Sequence, residues 1–96
     1  MKSKKTKSQS SKRRVSFTFY GPEATEVFLV GDFNQWNEEA HPMKIDAKGV
    51  WHKSIFVLPG AYQYKFRVDG VWENDQNNDM VCENSFGTHN NLFVME

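Results

Sequence analysis

Between positions 61 and 68 the chain alternates strictly, with Tyr62, Tyr64, Phe66 and Val68 on one parity and Gln63, Lys65 and Arg67 on the other. In a strand, successive side chains point to opposite faces, so this period predicts a strand with one face on a core and Lys65 directed away from it. Asp69-Gly70 then turns the chain. The same period runs through Val15, Phe17 and Phe19 against Ser16, Thr18 and Tyr20 until Gly21-Pro22 breaks it, which predicts a first strand and a turn.

The remaining segments follow the same logic. Residues 26–30 form a short, nearly continuous apolar run bounded by Gly31-Asp32, the pattern of a buried strand, and a polar loop covers 32–42. Residues 43–45, the turn Asp46-Ala47-Lys48-Gly49 and residues 50–58 predict a hairpin whose second arm places Trp51, Ile55 and Val57 on one side. Residues 72–87 read as a long Asn/Asp-rich connection, and 88–95 alternates again around Leu92 and Val94. No segment has a helical period. Six or seven short strands joined by turns predict an all-β chain, an immunoglobulin-like antiparallel β-sandwich without substantial helix. The disulfide of antibody domains has no counterpart, because Cys82 is the only cysteine.

A chain of 96 residues has room for one core. Aromatic residues make up 15% of it, so large rings should dominate that core. The formal charge of zero hides a division. Residues 1–14 hold Lys2, Lys4, Lys5, Lys7, Lys12, Arg13 and Arg14 and no acid, a charge of +7, whereas the rest sets five basic residues against twelve acidic ones, a charge of −7. With no apolar residue after Met1, residues 1–14 are expected to form a disordered basic tail ahead of a domain at 15–96. The tail has the positive start of a signal peptide without the apolar stretch that must follow. No window approaches the ~20 apolar residues of a membrane span, so no membrane partner is expected. A lone cysteine suits a reducing compartment, and the expected location is cytoplasmic. The tail could make weak contacts with nucleic acid, which the acidic body would oppose.

Three segments carry more specific information: Gly31-Asp32-Phe33-Asn34-Gln35-Trp36, then residues 60–72 ending in Asp69-Gly70-Val71-Trp72, then Asn84-Ser85-Phe86-Gly87-Thr88-His89-Asn90-Asn91. In this order and spacing they resemble a family-48 carbohydrate-binding module. That family is similar across the glycogen-binding domain of the AMP-activated protein kinase β-subunit and the early-set domain of isoamylases and branching enzymes. The resemblance covers residues 15–95 and implies an early-set sandwich that binds α-1,4-linked glucan without catalysis. It further implies that Trp36 and Trp72 stack on glucose rings, that Lys65 and Asn90 hydrogen-bond sugar hydroxyls, and that Phe86 and Thr88 border the groove. One departure is Asp75-Gln76, where relatives often have Asp-Pro, within an unusually polar run over 74–79.

The residue chemistry is compatible with those roles. A pyranose has a C–H face that packs on an aromatic ring, while its edge hydroxyls seek donors and acceptors. Two tryptophans on separate loops would hold a curved glucan better than a flat one. Other readings stay open: Trp36 or Trp72 as a lid on the core, Lys65 as a solvated sheet residue, Asn90 as a partner of backbone groups near Gly87. Trp51, sharing a face with Ile55 and Val57, is read as core. The alternative function is a regulatory module that docks on a carbohydrate-active enzyme or kinase without binding sugar, its tryptophans serving as anchors.

Other chemistry finds no pattern. Asp75, Asn77 and Asp79 imitate the opening of a calcium loop, but its sixth and twelfth places are Met80 and Phe86, where Gly and Glu are needed. His41, His52 and His89 lack zinc spacing and there is no phosphate-cradling glycine loop, so no metal and no cofactor are expected. No carboxylate pair is marked out for glycoside hydrolysis.

Overall fold

The computed structural model describes residues 11–96. It contains eight strands: β1 (Arg13–Tyr20), β2 (Val27–Gly31), β3 (Lys44–Ile45), β4 (Val50–Val57), β5 (Gly60–Val68), β6 (Val71–Glu73), β7 (Val81–Glu83) and β8 (His89–Met95). A single 3-10 turn, Asp32–Asn34, follows β2. The strands form two antiparallel sheets. One is ordered β1-β4-β3; the other is ordered β2-β5-β8-β7, with β6 added beside β5. This is the expected immunoglobulin-like sandwich.

Alternation decides the core. Phe17 of β1, Trp51, Ile55 and Val57 of β4, Leu29 of β2, and Tyr64 and Phe66 of β5 are buried between the sheets. Phe17 meets Tyr64 edge-on at 4.9 Å and Phe93 at 5.5 Å, so rings fill much of the interior. Trp51 is core as expected, and its buried Nε1 donates to the Gly21 carbonyl at 2.8 Å, which removes the cost of an unpaired indole N–H.

Three expectations need correction. The first strand begins at Arg13, so Arg13 and Arg14 of the expected tail are strand residues, facing Val57 and Phe56 across the ladder; residues 1–10 of that tail lie outside the described residues. The stretch 72–87 contains β6 and β7, each three residues long and too short to display a period. In β8 the inward residues are Phe93 and Met95, while Val94 is 55% exposed. Residues 92–95 are apolar on both parities, so alternation alone could not choose their inner face.

The polar run after β6 is organised by one residue. Asn91, with 0% exposure, accepts from Asn74 Nδ2 at 3.0 Å and from the Asp75 amide at 2.7 Å, and it donates to the Asn78 carbonyl at 3.0 Å. Asp75 Oδ2 accepts the Tyr64 hydroxyl at 2.7 Å and Asn78 Nδ2 donates to that hydroxyl at 3.0 Å. Burial, chiefly, pushes the Tyr64 phenol above its ordinary range, so it stays a donor. Asp75 and Asn77 thus serve the loop itself: Asp75 Oδ1 accepts the Asn77 amide at 3.0 Å.

Candidate functional site

The outer face of the second sheet carries an open groove of about 850 Å³. All six residues singled out from the sequence, Trp36, Lys65, Trp72, Phe86, Thr88 and Asn90, line it. They arrive from four places: the turn after β2, the outward parity of β5, β6, and the β7–β8 connection with the start of β8.

Trp36 is set by a strained turn. Gln35 and Trp36 both adopt left-handed backbone, with φ of 57° and 58°, a conformation costing L residues roughly 1 to 2 kcal/mol each. Local bonds hold it. The Trp36 amide donates to the Gly31 carbonyl at 2.9 Å, and its indole Nε1 donates to Asp32 Oδ1 at 2.8 Å. The other oxygen of Asp32 accepts the Gln63 amide at 2.8 Å, pinning the turn to β5. Gly31 permits this approach, since a Cβ there would lie 2.5 Å from the Gln63 carbonyl oxygen. Beneath, Asn34 Oδ1 accepts the Gly31 amide at 3.1 Å while its Nδ2 donates to His41 Nδ1 at 2.7 Å.

Trp72 lies in β6 opposite Arg67 of β5, so it is a strand residue and not the loop residue expected. Trp72 is 38% exposed. The two indoles meet edge to face, with centroids 6.3 Å apart and planes at 61°. They form one angled corner, and neither folds back as a lid on the core cluster.

Lys65 points away from the core, as its parity requires, yet it is only 7% exposed. Its ammonium has three donors and, among the described residues, one long contact, to Thr88 Oγ1 at 3.4 Å, and the residue lines the groove. Asn90 is also buried. Its Nδ2 donates to Gln63 Oε1 at 3.0 Å and its Oδ1 accepts from Asn84 Nδ2 at 2.9 Å. These partners are side chains, not the backbone near Gly87, and each end of the amide keeps one further bonding position. Phe86 stands at the loop tip, 88% exposed.

Asn84, Gln63 and Asp32 also line the groove, and sequence reasoning gave them no role in the site. Asn84 is the organiser of its far wall: Oδ1 accepts the Phe86 amide at 2.9 Å and the Thr88 amide at 3.2 Å, and Nδ2 reaches Thr88 Oγ1 at 2.8 Å. The signal was available in Asn84-Ser85-Phe86-Gly87, an Asn-led turn closing on a glycine with φ of 82°. Asp32 and Gln63 act through contacts between segments that no local pattern encodes.

Comparison with known proteins places this geometry in a family. The family model described as carbohydrate-binding module 48 (isoamylase N-terminal domain) matches residues 5–84. Phe86, Thr88 and Asn90 fall beyond that match and rest on the groove geometry. Similar proteins include FLOURY ENDOSPERM 6, chloroplastic, of Oryza sativa subsp. japonica, 36% identical over 88% of this chain and 16% of its own length. PTST homolog 2, chloroplastic, of Arabidopsis thaliana is 39% identical over 85% of this chain and 15% of its own. The 1,4-alpha-glucan branching enzyme GlgB 2 of Clostridium perfringens (strain SM101 / Type A) is 37% identical over 70% of this chain and 10% of its own. The chain therefore spans less than a fifth of the length of these relatives, and over that span it belongs to the carbohydrate-binding module 48 family.

Proposed function

We propose that the chain binds α-1,4-linked glucan, such as glycogen, starch or maltooligosaccharides, in the groove on its second sheet, without catalysing a reaction on it. The observation that carries this reading is the angled Trp36–Trp72 corner in one groove with a buried lysine whose ammonium makes a single long contact among the described residues. Two indoles set at 61° offer C–H packing surfaces to successive sugars of a chain that bends. Lys65 and Asn90 supply donors and an acceptor to the hydroxyl edges of those sugars. Thr88 and Phe86 bound the far side.

Two carboxylates line the groove, Asp32 and Glu38, and both are engaged. Asp32 holds the Trp36 indole and the Gln63 amide, and Glu38 pairs with Arg67 at 3.3 Å. Both carboxylates thus hold neighbouring residues in place, Trp36 and Gln63 for Asp32 and Arg67 for Glu38, which is in keeping with a binding role. A relative is named as an enzyme acting on 1,4-α-glucan, and a groove for that polymer on this domain suits such a protein.

A second reading is docking on a protein partner, favoured by Phe86, which is 88% exposed where it lines the groove. Titrating purified chain with maltoheptaose, with cellohexaose as the flat control, while following tryptophan fluorescence separates the two. Saturable change with maltoheptaose alone supports glucan binding. No response to maltoheptaose at millimolar concentration defeats it and leaves protein docking.

A further inference from the structure

Arg67 does not line the groove, yet it contacts Trp72 and, through Glu38, the turn that carries Trp36. It lies directly across the ladder from Trp72, and its guanidinium carbon sits 4.8 Å from the centroid of the Trp72 ring. Its Nε lies 3.3 Å from Glu38 Oε1, and Glu38 is two residues past Trp36 in the turn that carries the first indole. The guanidinium occupies one face of the Trp72 ring from outside the groove, so Trp72 meets the groove with the rest of its surface. A guanidinium suits this double duty: it is planar enough to stack on an indole while its edge still donates to a carboxylate.

On the proposed reading of this groove as a glucan site, we infer that Arg67 is the positioning residue of that site. It ties the Trp36 turn to the Trp72 strand through Glu38 and thereby fixes the angle between the two platforms. Asp32 fixes Trp36 relative to β5, but nothing in that linkage constrains Trp72. β6 pairs with β5 over only three residues, and its register alone leaves the indole free to rotate about its side-chain bonds. Arg67 supplies the missing restraint, and Glu38 orients Arg67. A well-ordered corner binds without the cost of arranging two rings on arrival of the sugar, so the gain is one of preorganisation.

The test measures the corner and the sugar separately. Two indoles in edge-to-face contact give a coupled ultraviolet circular-dichroism band that depends on their mutual angle and needs no ligand. In Arg67→Ala that band should shrink while the thermal midpoint moves little, and affinity for maltoheptaose should fall about fivefold to tenfold. Arg67→Lys should recover little of either, since an ammonium lacks the planar stack. Glu38→Gln should lower affinity less, and raising salt should narrow the gap between it and the parent. Arg67→Met keeps the stem and serves if the alanine variant fails to fold. An unchanged coupled band in the folded variants overturns the inference whether or not sugar binds. A diminished band with maltoheptaose affinity within twofold of the parent overturns its functional part. If the parent itself ignores maltoheptaose while the band still depends on Arg67, the positioning holds and the glucan reading fails.

Discussion

The indoles of Trp36 and Trp72, thirty-six positions apart in sequence, meet edge to face with centroids 6.3 Å apart. Neither ring is spare core. Trp51 fills that role between the sheets, with its N–H satisfied, whereas the other two line the outer groove that Lys65 also lines.

Removing either ring should therefore cost binding and not folding. An indole that desolvates a sugar face is comparable to aromatic anchors elsewhere, where truncation costs on the order of 2 kcal/mol, about a thirtyfold loss of affinity. Trp36→Ala and Trp72→Ala should each lose retention in a glycogen-containing native gel, with the far-ultraviolet dichroism of the parent. Because the rings touch, their losses should be less than additive. Parent-like retention by both variants would remove the groove from consideration.

Asn84 tests whether the far wall must be prearranged. Its amide organises the Phe86 and Thr88 backbone and ends in Asn90, without needing to touch sugar. Asn84→Ala should weaken maltoheptaose binding by about 1 to 1.5 kcal/mol, the worth of one or two net hydrogen bonds, or about fivefold to tenfold. Calorimetric titration reads this directly, and it should appear with a more unfavourable entropy as the loop is ordered by ligand. An unchanged affinity would mean that the loop keeps its form without Asn84.

The sandwich and the groove were legible in the sequence to different degrees. The β5 alternation gave both its core face and the outward direction of Lys65, because a long half-buried strand states its period several times. It could not state that Lys65 would be buried on that outer face, since the groove it lines is closed by other segments, among them Thr88, which its ammonium meets at 3.4 Å. Trp72 was expected in a loop because β6 is three residues long. The inner face of β8 was hidden for the opposite reason, an apolar run on both parities, which only the pairing with β5 resolves. Asn91 shows a third limit. An asparagine in a polar stretch reads as a turn residue, and its burial is evident only when the 74–78 loop folds over it.

That burial gives a stability prediction. Asn91→Leu keeps the branched shape but orphans the Asp75 amide and the Asn78 carbonyl and leaves Asn74 Nδ2 with only its bond to the His89 carbonyl. Partly satisfied buried networks cost more than apolar replacements, so the variant should lose about 2 to 4 kcal/mol in urea unfolding. Asn90→Leu, one residue away on the outer face, should lose less stability and more glucan affinity. Equal stability losses would mean that the two faces of β8 are not energetically distinct.

Acid should loosen the Trp36 turn before it unfolds the domain, and the sign follows from His41. Its imidazole is held below the ordinary histidine value of 6.5, first by burial and then by the positive charge of Lys53. Its Nδ1 accepts from Asn34 Nδ2 at 2.7 Å, and only the neutral ring can do so. The unfolded chain therefore takes up a proton at a higher pH than the folded one. Stability from this group is complete above 6.5 and is lost as pH falls through 6.5 toward and below the lowered folded value. Protonation ejects Asn34 from His41, and Asn34 also accepts the Gly31 amide at the base of the strained turn. Asp46 acts in a separate, lower window. The His52 side chain, then the Val50 and Lys48 amides, hold its carboxyl at about 2 against an ordinary 3.8, so its contribution is present above 3.8 and disappears as pH falls through about 2. Sugar binds the folded chain, so maltoheptaose affinity should hold down to pH 6.5 and decline only below it, as the folded His41 ring takes up its proton. His41→Gln, which can still accept from Asn34 but cannot titrate, should flatten that decline while leaving the acid limb near pH 3 in urea-monitored stability intact. A parent-like slope in His41→Gln would assign the pH dependence to another group.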